Sequence, residues 1–322
     1  MNDVNLTAAA LGFSPSRTTR YNSANDFFRR AFGKKVYKLA FDAGMTCPNR
    51  DGTIGKNGCI FCSEGGSGDF AERITPENAD SAFDYAKARI RDKSDADSFI
   101  AYFQSYTNTY APPEKLDALF TPIINRKEVC ALSIATRPDC IETAVYELIA
   151  RLCKIKPVFV ELGLQTSDEQ SAKFIRRGYE NAVFVTAAQK LKAAGANVIT
   201  HVILGLPNET RTQMLESVKF AAEYSDGIKL QLLHVLKGTD LAGLYAGGEF
   251  KTLDRDEYIS ILCDCVNALP EKTVIHRLTG DAPKKLLISP EWSADKKSVL
   301  NAIKKRFEEN DVLQGSLANR LF

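Results

Sequence analysis

VYKLAFDAGMTCPNRDGTIGKNGCIFC, residues 36 to 62, runs from a short apolar stretch into a glycine-rich loop that holds Cys47, Cys59 and Cys62 at C-x11-C-x2-C spacing. The apolar stretch is one of six: VYKLAFD (36 to 42), SFIAYF (98 to 103), CALSIAT (130 to 136), PVFVELGL (157 to 164), NVITHVILG (197 to 205) and GIKLQLLHVL (227 to 236). Helix-like segments such as ADSAFDYAKARIRDK and NAVFVTAAQKLKAAG separate them. Strand–helix alternation of this kind builds a parallel sheet with right-handed crossovers, and nearly continuous apolar runs suit strands covered on both faces. Six units fall short of the eight that close a full barrel, so the pattern alone leaves an open partial barrel and a doubly wound sheet side by side. Beyond residue 250, DRDEYISILCDCVNAL reads as a helix, TVIHRL as a further strand and DKKSVLNAIKKRFEEN as a terminal helix.

Polar residues gather where the apolar runs end: Asp42 and the cysteine loop, Gln104, Thr136-Arg137-Pro138-Asp139, Glu161 with Gln165, His201 before Gly205, and His234. In parallel α/β architectures the carboxyl ends of the strands form the active face, which puts these groups and the three thiols on one rim. Singly, His201 and His234 read equally well as satisfied core histidines.

The 322-residue chain is 44% hydrophobic and 25% charged, as in an ordinary globular protein with ample core. The amino terminus lacks a signal-peptide layout and no apolar run approaches a membrane span, so no membrane partner is expected. A reducing cytoplasm follows as the expected setting, where clustered cysteines bind metal or do redox chemistry more often than they cross-link. The net charge is +2, with +5 in residues 1 to 38, +4 in residues 272 to 322 and thus about −7 between them. Basic ends on an acidic body read either as solvated surface or as a nucleic-acid footprint.

A closed structural zinc site takes four ligands, whereas this loop offers one C-x2-C pair plus one distant cysteine. A cubane 4Fe–4S cluster held by only three cysteines keeps one iron open to another ligand. Cys130, Cys140, Cys153, Cys263 and Cys265 lie within apolar runs or at element ends and read as buried fillers.

The blocks AFDAGMTCPNRDGTIGKNGCIFC, FIAYFQSYTNTYAP, LSIATRPDC, VELGLQT, HVILGLPNET, LLHVLKGT and HRLTGDAP, in that order, span nearly the whole chain. In them the sequence resembles a radical S-adenosylmethionine (SAM) protein of the YhcC/YtqA-like family, related to the catalytic subunit of Elongator. The resemblance implies a partial (βα)6 TIM-like barrel over residues 36–250, with a basic amino-terminal arm (1–35) and a small carboxy-terminal α/β segment (251–322). It implies a 4Fe–4S cluster on Cys47, Cys59 and Cys62, with SAM as the ligand of the open iron and source of a 5′-deoxyadenosyl radical. For SAM it implies contacts from Phe61, Gln104, Gln165, Arg177, Ile203 and Gly205. Ala135 stands where related sequences often have Glu, and His201 stands where some have an acidic ribose contact, so Glu161 is the substitute there. Arg137, His234, His276 and Arg277 are the residues expected to face substrate, and Arg17, Arg20, Arg29 and Arg30 those expected to meet phosphates.

The same resemblance implies transfer RNA as partner, with an electron donor such as flavodoxin or ferredoxin. The implied reaction trims the C5 side chain of wobble uridine from carboxymethylaminomethyl to aminomethyl. A radical reaction on a small metabolite or peptide, and a non-catalytic metal-containing binding module, are the alternatives.

Overall fold

The computed structural model describes residues 12–66, 71–91 and 96–317. Helix α1 (Ala24–Phe32) leads to β1 (Tyr37–Asp42), and after the cysteine loop come β2 (Glu72–Arg73) and α2 (Ala79–Arg91). The repeating units follow as β3 (Phe99–Phe103), α3 (Pro113–Asn125), β4 (Val129–Thr136), α4 (Thr143–Cys153), β5 (Val158–Gln165), α5 (Glu169–Phe174), α6 (Asn181–Ala193), β6 (Asn197–Leu204), α7 (Arg211–Tyr224) and β7 (Gly227–Leu232). The remainder is β8 (Val235–Leu236), α8 (Asp240–Ala246), α9 (Arg255–Ala268), β9 (Val274–Arg277), β10 (Leu287–Ser289) and α10 (Lys296–Glu309).

The main sheet has eight strands in the order β2-β1-β3-β4-β5-β6-β7-β9, every neighbouring pair parallel. The six runs read from the sequence are its unbroken centre. β2 and β9 are its two ends, so the sheet is an open partial barrel and the doubly wound alternative falls away. One boundary differs from the sequence reading. GIKLQLLHVL is not a single strand, because the chain leaves the sheet after Leu232 and Val235–Leu236 pairs antiparallel with β10 instead.

Alternation along each strand decides what the barrel encloses. Leu39, Phe41, Phe103, Leu132, Ile134, Val160, Leu162, Val202, Leu204 and Leu230 point outward into the helices, forming the main core. The inward set begins with Ile100, Ala131, Phe159, Ile199 and Val274 near the strands' amino ends, where Phe27 and Phe28 of α1 plug the floor. The described part of the basic arm, residues 12–35, therefore closes the barrel bottom, at the end opposite the cysteine loop, and Arg17, Arg20, Arg29 and Arg30 do not line the cavity. Arg20 bonds Asp311 at 3.0 Å and Arg30 bonds Asn22 at 2.7 Å. No helix among the described residues is long and apolar enough to cross a membrane.

Candidate functional site

Above the apolar floor the inward positions turn polar. Lys38 (β1), Tyr102 (β3), Ser133 (β4), Glu161 (β5), His201 (β6) and Lys229 (β7) share the lumen-facing parity, and the first, second and last three line a cavity of about 440 Å³. Glu161 is buried at its centre. Its Oε1 accepts from Lys38 Nζ at 3.1 Å and Ser133 Oγ at 2.9 Å, and its Oε2 from Tyr102 Oη at 2.9 Å, His201 Nε2 at 2.8 Å and Lys229 Nζ. Burial alone would raise the Glu161 carboxyl, but the Lys229 and Lys38 ammoniums overturn this and hold it well below the usual carboxylate range. Burial, with Lys229 beside it, pushes His201 down to about 4, so the neutral ring donates from Nε2. Burial likewise pulls Lys229 down to about 7: the Glu161 attraction resists, while Lys38 and Arg277 add repulsion.

The rim carries the thiols. Cys47 and Cys59 are brought together by a turn in which Arg50 N and Asp51 N donate to Cys47 O, while Gly58 N donates to Asn49 O. Gly58 sits at φ +72°, and a Cβ there would meet Arg50 Nε at 2.9 Å. Cys62 N closes a turn onto Cys59 O at 3.0 Å, and Arg50 Nη2 donates to the Cys62 and Ser63 carbonyls at 2.7 and 2.8 Å. Buried Asn49 ties the loop to the wall through Arg176 O at 2.7 Å and reaches Cys59 Sγ at 3.6 Å. Burial pushes the Cys59 thiol up to about 11 and raises Cys62; Arg137 opposes it at the first and Arg50 at the second.

Three free thiols among cations and N–H donors, with a cavity beneath them, fit an iron–sulfur cluster, whose thiolate ligands add negative charge. Among the described residues no three His, Cys, Asp or Glu side chains are gathered as ligands of a single ion. A cubane makes a different demand, one iron for each thiolate.

Of the residues singled out in the sequence, Cys47, Cys59, Cys62, Phe61, Gln104, Arg137, Glu161, Gln165, Arg177, His201 and Arg277 line this one cavity. Gln165, the last residue of β5, is held at φ +64° with its Oε1 buried and unpartnered. A non-glycine residue held there by its surroundings marks stored strain, and the orphaned oxygen asks for a donor. Gly163 makes room for it, because a Cβ at Gly163 would lie 2.5 Å from Gln165 Nε2.

Arg177 and Arg137 line the wall but are committed. Arg177 Nε donates to Tyr179 O, its Nη1 to Leu164 O, Thr166 O and Asn181 Oδ1, and its Nη2 to Glu169. A bidentate clamp on a ligand carboxylate is not free in this conformation, and the guanidinium instead pins the turn that carries Gln165. Arg137 grips both oxygens of Asp139 at 2.9 and 2.7 Å and donates to Arg177 O at 2.9 Å. The Glu161 oxygens are likewise taken, which leaves them no reach toward a ribose.

Ile203, Gly205, His234 and His276 stand outside the cavity lining. Ile203 joins Ile60, Ile175 and Leu233 in an apolar cluster against Phe61, and Gly205, at φ +90°, faces Leu253. His234 sits against Gly280, its Nε2 unpartnered, and burial takes it down to about 4. His276 packs its ring against Phe28 and Phe159 at the floor, and burial holds it neutral. Lys38, Tyr102 and Lys229 escaped the sequence reading, although each interrupts an apolar strand at a lumen-facing position.

The Radical SAM superfamily model matches residues 51–221, and the Radical_SAM C-terminal domain model matches 225–309. YtqA of Bacillus subtilis is 42% identical over 303 residues, covering 94% of each chain, and YhcC of Escherichia coli K12 is 31% identical over 299 residues, covering 90% of this chain and 93% of its own. A tRNA uridine(34) acetyltransferase of Methanocaldococcus jannaschii is 28% identical over 163 residues, 49% of this chain and 29% of its own. Among solved structures, the Methanocaldococcus infernus Elp3 with an N-terminal deletion superposes with a TM-score of 0.61 at 17% identity, over 89% of this chain and 67% of that one.

Proposed function

The chain belongs to the radical SAM superfamily, whose cofactors are a 4Fe–4S cluster and SAM, and on that footing we propose that it remodels the C5 side chain of wobble uridine in transfer RNA, from carboxymethylaminomethyl to aminomethyl. The observation that carries this reading is the layering of a single lumen: three thiols at the rim, an unpaired Gln165 carbonyl below them, and a cationic level above an apolar plug.

Cys47, Cys59 and Cys62 would hold the cluster and leave one coordination position for SAM. Bound together, the two cofactors supply a reducing electron and a 5′-deoxyadenosyl radical that abstracts hydrogen. Arg50 and Arg137 offset the charge at the thiols. Gln165 Oε1 would accept a hydrogen bond from SAM, Gln104 would offer a second amide, and Phe61 backed by Ile203 would form the apolar wall for the adenine. Arg177 positions the Gln165 turn. His201 keeps its proton on Nε2 against Glu161 and presents Nδ1 as an acceptor.

On a carboxymethylaminomethyl group the weakest C–H bond is on the methylene flanked by amine and carboxylate. Abstraction there leaves a carbon radical, and loss of one electron and one proton gives an imine. Addition of water then releases glyoxylate and leaves the aminomethyl group. SAM is the two-electron oxidant overall, because the electron used to cleave it is returned when the radical is oxidised. A flavodoxin- or ferredoxin-type donor would supply that electron, in the cytoplasm. Support for the uridine comes from the partial match to a tRNA uridine(34) acetyltransferase.

The experiment is mass spectrometry of transfer RNA nucleosides from cells with and without this protein. Cells lacking it should accumulate carboxymethylaminomethyluridine and lose the aminomethyl form. An unchanged nucleoside profile rejects the transfer RNA reading in favour of a small carboxylate metabolite, for which the cavity of about 440 Å³ is also adequate.

A further inference from the structure

Cations outnumber anions at the polar level of the lumen. Lys38, Lys229 and Arg277 all line the cavity, and Lys229 and Arg277 stand opposite each other in the β7–β9 register. Against them stand Glu161 and Asp281, and Asp281 is shared, bonding Arg277 Nη2 at 3.1 Å and Lys296 Nζ at 2.5 Å. One ammonium would have sufficed to neutralise Glu161. Two engage it, and both lie over the Tyr102 ring at 4.6 and 4.7 Å from its centroid.

Donors are in excess as well. An ammonium has three N–H groups. Among the described residues Lys38 Nζ spends one on Glu161, while Lys229 Nζ spends one on Glu161 and one on Tyr102 Oη at 3.1 Å. The carboxylate meanwhile accepts from five donors, more than its roughly four lone-pair sites can satisfy. Lys38 and Arg277 line the cavity at partly exposed positions, so their spare N–H groups are open to a ligand that enters it. The lysines and Arg277 therefore have N–H groups to spare for an acceptor-rich anion such as a carboxylate.

We propose that Lys38, Lys229 and Arg277 form a carboxylate-binding subsite at the lumen floor that anchors the acidic end of the substrate beneath the SAM-binding rim. The proposal rests on reading that rim as the SAM site and deepens it: the substrate is a carboxylate whose reactive C–H lies between the anchored end and the thiol loop. The floor below is sealed by Phe27, Phe28 and Phe159, so the anion enters from the rim.

The test is calorimetric, with anaerobically reconstituted protein and SAM. The probes are 5-carboxymethylaminomethyluridine and its carboxamide, N-ethylglycine and N-ethylglycinamide, and inorganic phosphate. Wild type should bind each carboxylate at least about tenfold tighter than its amide, the scale of one charge-assisted contact. Lys38→Met and Arg277→Gln, both at partly exposed positions, should erase most of that preference while leaving amide affinity and iron content unchanged. Equal affinity for acid and amide in wild type overturns the proposal, as does a preference that survives in the Lys38→Met/Arg277→Gln double variant. Displacement of the carboxylates by phosphate at equal concentration also overturns it, reassigning the subsite to phosphate. If N-ethylglycine keeps its advantage over the amide while the nucleosides bind no better, the subsite stands and the uridine reading falls.

Discussion

Lys38 and Lys229 grip opposite oxygens of one buried carboxylate: Lys38 Nζ lies 3.1 Å from Glu161 Oε1, and Lys229 Nζ bonds Glu161 Oε2. The three residues come from β1, β7 and β5, so this contact ties the first strand of the central run to its last across the lumen.

Glu161→Gln should therefore destabilise the fold by about 3 to 5 kcal/mol in mildly acid solution, where both lysines are ammoniums that lose their buried counter-charge. The sign of its pH dependence follows from Lys229, which faces Lys38, Tyr102, Glu161, His201 and Arg277 and is held at about 7. Without Glu161 the ammonium loses its attraction, so the extra loss of stability is present below about 7, where Lys229 is protonated in the wild-type fold, and fades as pH rises through it. Urea denaturation should show a larger loss for Glu161→Gln at about pH 6.5 than at about pH 9. An equal loss at both would contradict the buried-cation account.

Replacing Cys47, Cys59 or Cys62 with Ala should abolish the brown chromophore and the iron and sulfide of the reconstituted protein. Cys265→Ala, deep in the main core, should keep them. A Cys59→Ala variant with full iron content would remove the rim assignment.

Gln165→Ala should retain the cluster yet weaken SAM binding by about tenfold, the loss of one good hydrogen bond. Gly163→Ala should do the same with Gln165 itself unaltered, because the new methyl would lie 2.5 Å from Gln165 Nε2 and displace the amide. Arg177→Ala should instead lower thermal stability and iron retention together, since that guanidinium holds the carbonyls of the same turn. Equilibrium dialysis with SAM, beside melting curves, separates the two behaviours, and unchanged SAM affinity in Gln165→Ala would reject its placement.

Phe28→Ala should cost about 3 to 5 kcal/mol by opening a cavity where α1 plugs the floor against Phe159. A loss below about 1 kcal/mol, measured by denaturation, would show that the arm is peripheral to the barrel.

The strands and the thiol loop were legible in the sequence because their signals are local: continuous apolar runs, and cysteines within one short segment. Lys38 and Lys229 were not, since a lone lysine in VYKLAFD or GIKLQL resembles an edge-strand charge until neighbouring strands show that its parity faces the lumen. Arg177 was legible as a residue at the site but not as an occupied one, because its partners lie in the backbone of the adjoining turn. His276, adjacent to a lumen arginine, alternates onto the aromatic floor, a distinction that depends on the bulge in the β7–β9 register.

The central claim is tested most directly by incubating undermodified transfer RNA, deuterated at the glycine-derived methylene of its carboxymethylaminomethyl group, with reconstituted protein, SAM and reductant. The account predicts aminomethyluridine in the RNA and deuterium in the 5′-deoxyadenosine. SAM cleavage that proceeds with the carboxymethyl group intact and no deuterium transferred would contradict it.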